Sequence, residues 1–193
     1  MIYLIDDDAA VREALTLLLR TYGKDVTSYA DAAQFMAQID PAKAGIVILD
    51  LRMPLVSGFQ LLDQLSKRGI NWPSIMITGH GDIEACRRAF RAGVTDFLTK
   101  PVDEHILIEA ITLAEAQLAT GLQRLESLRL LDQLTLRETE VLDMVARGFG
   151  SKEIALALGL SVRTVDSHRG AIAAKLGTAA VAEQTRAWLS VHP

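Results

Sequence analysis

The sequence predicts an α/β fold, a (βα)5 doubly wound parallel sheet, followed by an all-α unit built around a helix-turn-helix. Three observations predict it. Short apolar runs alternate with amphipathic stretches through the first hundred residues, the pattern of strand-helix units over a parallel sheet. The strand pattern stops after Pro101, and every later segment has helical spacing. Two of the late segments, each opened by an oxygen-bearing side chain, are joined by only a few residues, which is the spacing of a helix-turn-helix.

The elements follow in order. Strands are expected at residues 2–5, 24–28, 46–49, 74–78 and 96–99. The intervening helices show Val11, Leu15, Leu18 and Leu19; Phe35 and Ile39; Phe59, Leu62 and Leu65; and Ile83, Cys86 and Phe90 as their apolar positions. Glycines at 58, 69, 79, 81 and 93 punctuate the joins. The fifth helix is expected to start near Asp103. Leu107, Ile111, Ala114, Leu118, Gly121, Leu125 and Leu128 then alternate spacings of four and three, a heptad-like seam. Two readings stay open here: one long helix over residues 103–132, or two shorter ones broken at Gly121. Thr135 with Glu138 forms a capping box, Ser151 and Ser161 open the next two helices, Gly148, Gly150 and Gly159 mark helix ends, and a short helix is expected over residues 179–189. The boundaries are set at 1–115, a helical linker 116–133, and 134–193.

Composition bounds the function. The 193 residues are half apolar and 23% charged, which excludes a disordered or collagen-like chain. One cysteine cannot form an internal disulfide and fits a reducing compartment. Met1 to Ile5 run into three aspartates without a basic leader, and no apolar run reaches the length of a membrane span, so a cytoplasmic protein without membrane contact is expected. The net charge of -4 argues against a nucleic-acid partner only until it is divided. Residues 1–115 carry 11 basic against 16 acidic side chains, and residues 116–193 carry 9 against 8. The second half is weakly basic, so its non-specific affinity for DNA should be low and salt-sensitive.

In a parallel sheet the strand ends share one edge, so residues just beyond them converge. Asp6 and Asp7 follow the first strand, Asp50 the third, Thr78 ends the fourth and Lys100 the fifth. Crowded carboxylates repel unless protonated or bridged by a cation, and an all-oxygen site suits Mg2+. A cation-bound carboxylate beside a Lys and a hydroxyl is a phosphoryl-transfer site. Charge assigns the roles. Asp50 would accept the phosphoryl group; Asp7, Asp50 and the backbone carbonyl of Arg52 would hold Mg2+, with Asp6 acting through water; Lys100 would pair with phosphoryl oxygens and Thr78 would hydrogen-bond one.

These residues carry a resemblance. Ile5-Asp6-Asp7-Asp8, Leu49-Asp50-Leu51-Arg52-Met53-Pro54, Ile77-Thr78-Gly79-His80-Gly81 and Phe97-Leu98-Thr99-Lys100-Pro101 resemble the receiver domain of two-component response regulators over residues 1 to about 115. The resemblance implies that a sensor histidine kinase phosphorylates Asp50, that Lys100-Pro101 is cis, and that Phe97 is the switch aromatic turning inward as Thr78 moves. It also implies a dimer face on the fourth helix, where Arg87, Arg88 and Arg91 lie. Cys86 is read as a small core residue, and His80 as a loop residue without chemistry.

In the second half, Val165, Ile172 and Leu176 recur at spacings of seven and four as a buried stripe. Asp166, Ser167 and Gly170 share another face, flanked by Arg163, Arg169 and Lys175, an arrangement suited to a major groove. Residues 134 to about 190 are similar to the LuxR-type DNA-binding domain, through Leu134-Thr-Leu-Arg-Glu-Thr-Glu-Val-Leu, Lys152-Glu-Ile-Ala, Leu160-Ser-Val-Arg-Thr-Val and His168-Arg. The NarL/FixJ layout that results implies a transcription factor, not an enzyme. It would bind double-stranded promoter DNA as a homodimer formed on phosphorylation, with RNA polymerase as a further partner. The DNA-contacting set is Lys152, Arg163, Thr164, Asp166, Ser167, His168, Arg169 and Lys175. Asp166 is acidic and Gly170 has no side chain, which departs from more basic recognition helices and points to reliance on phosphate contacts and dimerisation.

Two rivals are distinguishable. A haloacid-dehalogenase-type phosphatase would use Asp6 of Asp6-Asp7-Asp8 as nucleophile and turn over phosphate esters quickly. It explains neither the Asp50 motif nor the second half. A receiver acting without phosphorylation would show phosphate-insensitive dimerisation and DNA binding.

Overall fold

The computed structural model describes residues 1–79 and 83–192. His80 and Gly81, singled out above, lie outside the described residues. By packing, the chain divides into two units, Met1–Ala119 and the residues from Thr120 onward. No helix among the described residues is long and apolar enough to cross a membrane.

The first unit alternates β1 (Ile2–Ile5), α1 (Ala9–Thr21), β2 (Val26–Tyr29), α2 (Ala32–Gln38), β3 (Ile46–Asp50), α3 (Gly58–Lys67), β4 (Ser74–Thr78), α4 (Ile83–Arg91) and β5 (Asp96–Thr99), and ends in α5 (Glu104–Leu131). All strands pair parallel in the order β2-β1-β3-β4-β5. The strand period of two sorts the apolar side chains onto two layers. Tyr3, Ile5, Val47, Leu49 and Met76 pack with Phe35, Met36, Leu61, Leu65 and Ala89 from α2, α3 and α4. Ile2, Leu4, Ile46, Ile48, Ile75, Ile77 and Leu98 pack with Leu15 and Leu19 of α1 and Leu107, Ala110, Ile111 and Ala114 of α5. Both faces of the sheet are covered, as a parallel sheet requires. The strand order reverses between β1 and β3, so the crevice at their carboxyl ends is where such a sheet binds ligands.

The structure resolves the alternatives for the fifth helix and corrects two details. α5 is one helix from Glu104 to Leu131, with Asp103 accepting from the His105 and Ile106 amides at its start. Its heptad-like seam does not act as one seam. Leu107, Ile111 and Ala114 belong to the core of the first unit, whereas Leu125 and Leu128 are exposed. On α4 the expected apolar face is also not the core face. Ile83 is 81% and Phe90 53% exposed, Cys86 is half-buried, and Ala89 is the buried contact. A small residue at 89 lets α4 lie close to the sheet, so spacing alone picked the side with bulkier side chains instead of the side that packs.

The second unit contains the end of α5, then α6 (Leu136–Ala146), α7 (Ser151–Leu158), α8 (Val162–Leu176) and α9 (Val181–Val191). Val141, Leu142, Val145, Ile154, Val165, Ile172, Leu176 and Trp188 form its core, with Leu130 and Leu131 against it. Thr135 and Glu138 cap α6 reciprocally, and Ser161 caps α8. The start of α7 lies one residue before the expected cap: Gly150 is the N-cap, its amide held by the Glu153 side chain at 2.8 Å. Gly159 ends α7 in the left-handed region at φ 66°, which turns the chain into α8 within a few residues.

Candidate functional site

The register of the sheet assembles the first site. β1 and β3 pair Ile5 with Leu49, so Asp6 and Asp50, the next residue of each, reach the same edge. Carboxylate oxygens of Asp6, Asp7 and Asp50 all lie within 4.8 Å of one another. Asp6 is 1% and Asp50 7% exposed, while Asp7 opens to solvent. Lys100 enters from the end of β5, where its amide donates to the Thr78 carbonyl at 2.8 Å and Lys100-Pro101 is cis. Its Nζ donates to Asp6 Oδ2 at 2.6 Å and to Asp50 Oδ2 at 3.1 Å. Thr78 is fully buried at the end of β4, one residue past Ile77, the register partner of Asp50.

Local bonds hold this edge. The Asp8 amide donates to Asp6 Oδ1 at 2.9 Å, and the Arg12 guanidinium donates to the Asp6 carbonyl at 2.6 Å. The Arg52 amide donates to Asp50 Oδ1 at 3.3 Å, placing Arg52 directly beyond the strand. Burial pushes the Asp6 carboxyl above its ordinary range; hydrogen bonds from Lys100 and Asp8 oppose this, and the Asp50 charge adds to it. Burial works to lower the Lys100 ammonium, but its bonds to Asp6 and Asp50 outweigh it and the net direction is upward. One ammonium therefore pairs with two carboxylates of a cluster of three, and burial shifts one of them, Asp6, toward protonation. The all-oxygen donor set with unmet negative charge fits a hard divalent cation such as Mg2+.

Sequence reasoning missed what closes the loop after β3. The Gly58 amide donates to the Leu51 carbonyl at 3.0 Å, and a Cβ added at Gly58 would lie 2.7 Å from the Asp50 carbonyl oxygen and 3.2 Å from Leu51 Cα. Both neighbours are backbone and cannot give way. We expect Gly58→Ala to cost about 1–3 kcal/mol by overpacking and, by shifting Asp50, to slow phosphoryl uptake from acetyl phosphate. Urea unfolding and labelling rate measure the two effects. A variant matching wild type in both would contradict this packing.

The remaining residues of the first unit are placed as follows. Phe97 is half-buried against the α2–α4 layer. Arg87, Arg88 and Arg91 lie exposed on α4, and the Arg88 guanidinium stacks 4.3 Å over the Phe59 ring.

In the second unit α7 and α8 form the helix-turn-helix. Val165, Ile172 and Leu176 are buried, and Lys152, Arg163, Asp166, Ser167 and Gly170 are exposed. Thr164 and His168 are half-buried, and the Thr164 hydroxyl hydrogen-bonds the Ser161 hydroxyl at 2.7 Å. Two cations expected at the groove hold contacts within the unit. Arg169 donates to the Ser151 hydroxyl at 3.0 Å, and Lys175 pairs with buried Glu138 at 2.6 Å. A contact across 37 residues leaves no mark in spacing. The only trace in the sequence was that Glu138 sits at the capping-box position.

Comparison with known proteins finds one family match in each unit. Residues 2–112 match the response regulator receiver domain, and residues 132–187 match the bacterial regulatory proteins of the luxR family. The chain is 37% identical over 185 residues to the tetrathionate response regulatory protein TtrR of Salmonella typhimurium, covering 96% of this chain and 90% of that protein. It is 38% identical over 189 residues to the transcriptional regulatory protein FixJ of Azorhizobium caulinodans, with the same coverages. Among solved structures, the response regulator StyR aligns with a TM-score of 0.69 at 37% identity, covering 97% of both chains. Full-length FixJ from B. japonicum aligns with a TM-score of 0.58 at 30% identity, over 98% of this chain and 95% of that one. The chain thus belongs to the two-component response regulators, with a receiver domain followed by a LuxR-type DNA-binding domain.

Proposed function

We propose that Asp50 accepts a phosphoryl group from a sensor histidine kinase, and that this controls dimerisation and promoter binding by a cytoplasmic transcription factor. The observation that carries the reading is the position of Asp50. It sits at the carboxyl end of β3, buried, beside two further carboxylates and in contact with Lys100. An Asp50 carboxylate oxygen bonds to phosphorus while the bond from phosphorus to the donor breaks, leaving the electron pair on the donor imidazole nitrogen and an acyl phosphate on Asp50. Lys100 is already within reach to pair with a phosphoryl oxygen, and the Thr78 hydroxyl hydrogen-bonds another. Asp6, Asp7, Asp50 and the Arg52 carbonyl would hold Mg2+, which supplies positive charge that offsets the incoming phosphoryl oxygens. Phe97 follows Thr78 inward.

Phosphorylated receivers would pair through α4, where Arg87, Arg88 and Arg91 flank exposed Ile83 and Phe90. α5, a single helix, would carry that pairing to the DNA-binding unit. Lys152 and Arg163 would supply phosphate contacts, with Thr164, Asp166, Ser167 and His168 toward the groove and RNA polymerase as a further partner. Arg169 and Lys175 are then structural residues of the unit. The test is labelling of the full-length chain by acetyl phosphate. Uptake of label should require Mg2+, stop when chelator is present from the start and resume when Mg2+ is added back. Equal labelling in excess chelator would contradict the assignment of the carboxylate cluster.

A further inference from the structure

The face of α8 that the core does not use carries an unexpected set of side chains. Val165, Ile172 and Leu176 point into the unit, and Arg163, Asp166, Ser167, Gly170 and Ala174 lie exposed on the other sides. Among the described residues the Asp166 carboxylate makes no hydrogen bond or ion pair, although Arg169, one turn away, is tied to Ser151 and Lys175 to Glu138. A free carboxylate on a surface meant for DNA is repelled by every phosphate. It is favourable only where it meets a hydrogen-bond donor, and in the major groove the bases offer donors only at amino groups. On adenine the amino group sits beside the N7 acceptor of the same base, which repels a carboxylate, whereas cytosine presents its N4 amino group with no acceptor on its own major-groove edge.

Gly170 is a second, independent observation. It lies in the helix interior, has no left-handed φ, and a Cβ added there would meet nothing within 4 Å. The fold has no need of glycine at this position, and alanine would favour the helix. What the missing side chain provides is clearance outside the unit, one turn after Asp166 on the same face.

Resting on the DNA-binding reading above, we infer that Asp166 is the base-selecting residue of α8, that it requires an amino-bearing base, cytosine, in each half-site, and that Gly170 lets the helix approach the groove floor closely enough for this contact. The N-terminal half of a recognition helix, where Asp166 sits, is the part that reaches base edges.

The test is enrichment of binding sites from a pool of random duplexes by the full-length chain with Mg2+ and acetyl phosphate. We expect one cytosine fixed in each half-site, with roughly tenfold or greater loss of affinity when it is replaced. Asp166→Asn should move that position to adenine, because an amide pairs with both N6 and N7. Asp166→Ala should remove the preference and raise affinity for bulk DNA, with circular dichroism unchanged. Gly170→Ala should melt several degrees higher yet bind the enriched site several-fold more weakly. Enriched sites without a dependence on cytosine, or a dependence unmoved by Asp166→Asn, would overturn the inference and leave DNA binding standing. Wild-type affinity in Gly170→Ala would overturn the close approach. Failure to enrich any sequence would overturn the inference together with the reading on which it rests.

Discussion

Asp50→Asn should take up no phosphoryl group from acetyl phosphate under conditions that label the wild type. The amide is a far weaker nucleophile than a carboxylate, and the neighbouring acids do not replace it. The Asp6 carboxylate is buried and its oxygens already accept hydrogen bonds from Lys100 and the Asp8 amide, which shields them from an incoming phosphorus. Asp7 lies on the solvent side of the cluster. The fold should be kept, because the oxygen of the introduced amide can still accept from the Arg52 amide, and removing one charge relieves repulsion with Asp6. Thermal unfolding should therefore be unchanged or shifted upward while labelling falls to background. Persistent label would move the nucleophile elsewhere, to Asp6 first, and would revive the phosphatase reading.

Lys175→Met should destabilise the DNA-binding unit by about 2–3 kcal/mol, the lower range for stranding a buried charge, since the Lys175 side chain is still 31% exposed and water can partly replace it. Glu138, whose side chain is only 7% exposed, would still accept from the Thr135 amide but lose its counter-charge. The pH dependence gives a sharper signature. The Lys175 hydrogen bond holds the Glu138 carboxyl below its ordinary range, aided by the Thr135 amide. A depressed carboxyl binds protons more weakly in the folded state. Its contribution to stability is thus present above the ordinary glutamate value of about 4.3 and fades as pH falls through the folded value. The gap between wild type and Lys175→Met should be full at neutral pH and close on acidification. Trp188 emission in a Trp72→Phe background reports unfolding of this unit alone, as the chain has two tryptophans. A gap that does not change with pH would show that the loss comes from the Lys175 stem. Per folded molecule, DNA affinity should be preserved; a large loss would restore Lys175 to the interface.

The sheet was legible because strand runs such as Ile46–Asp50 and Ser74–Thr78 are buried on both faces and contain no helical period. Asp6, Asp50, Thr78 and Lys100 were legible as a group because parallel topology brings strand ends to one edge whatever their separation in sequence. Side-chain commitments were not legible. Glu138 and Lys175, like Arg169 and Ser151, meet through packing of helices whose mutual rotation no local pattern records. The same limit hid the tight contact of Gly58 with the Asp50 carbonyl, where spacing showed only a glycine between strand and helix. On α4 the spacing was correct but its meaning was not, because Ile83 and Phe90 are apolar without being core. Such a face is as readable as a core face and differs only in what covers it.

Phosphate on Asp50 is held to drive pairing and thereby DNA binding. The most direct measurement is the mass of the full-length chain by light scattering, with and without acetyl phosphate and Mg2+, alongside its affinity for an enriched duplex. The expected result is a shift from monomer to dimer accompanied by tighter DNA binding, both absent in Asp50→Asn. Dimerisation and DNA affinity that are the same with and without phosphodonor, in wild type and Asp50→Asn alike, would contradict it.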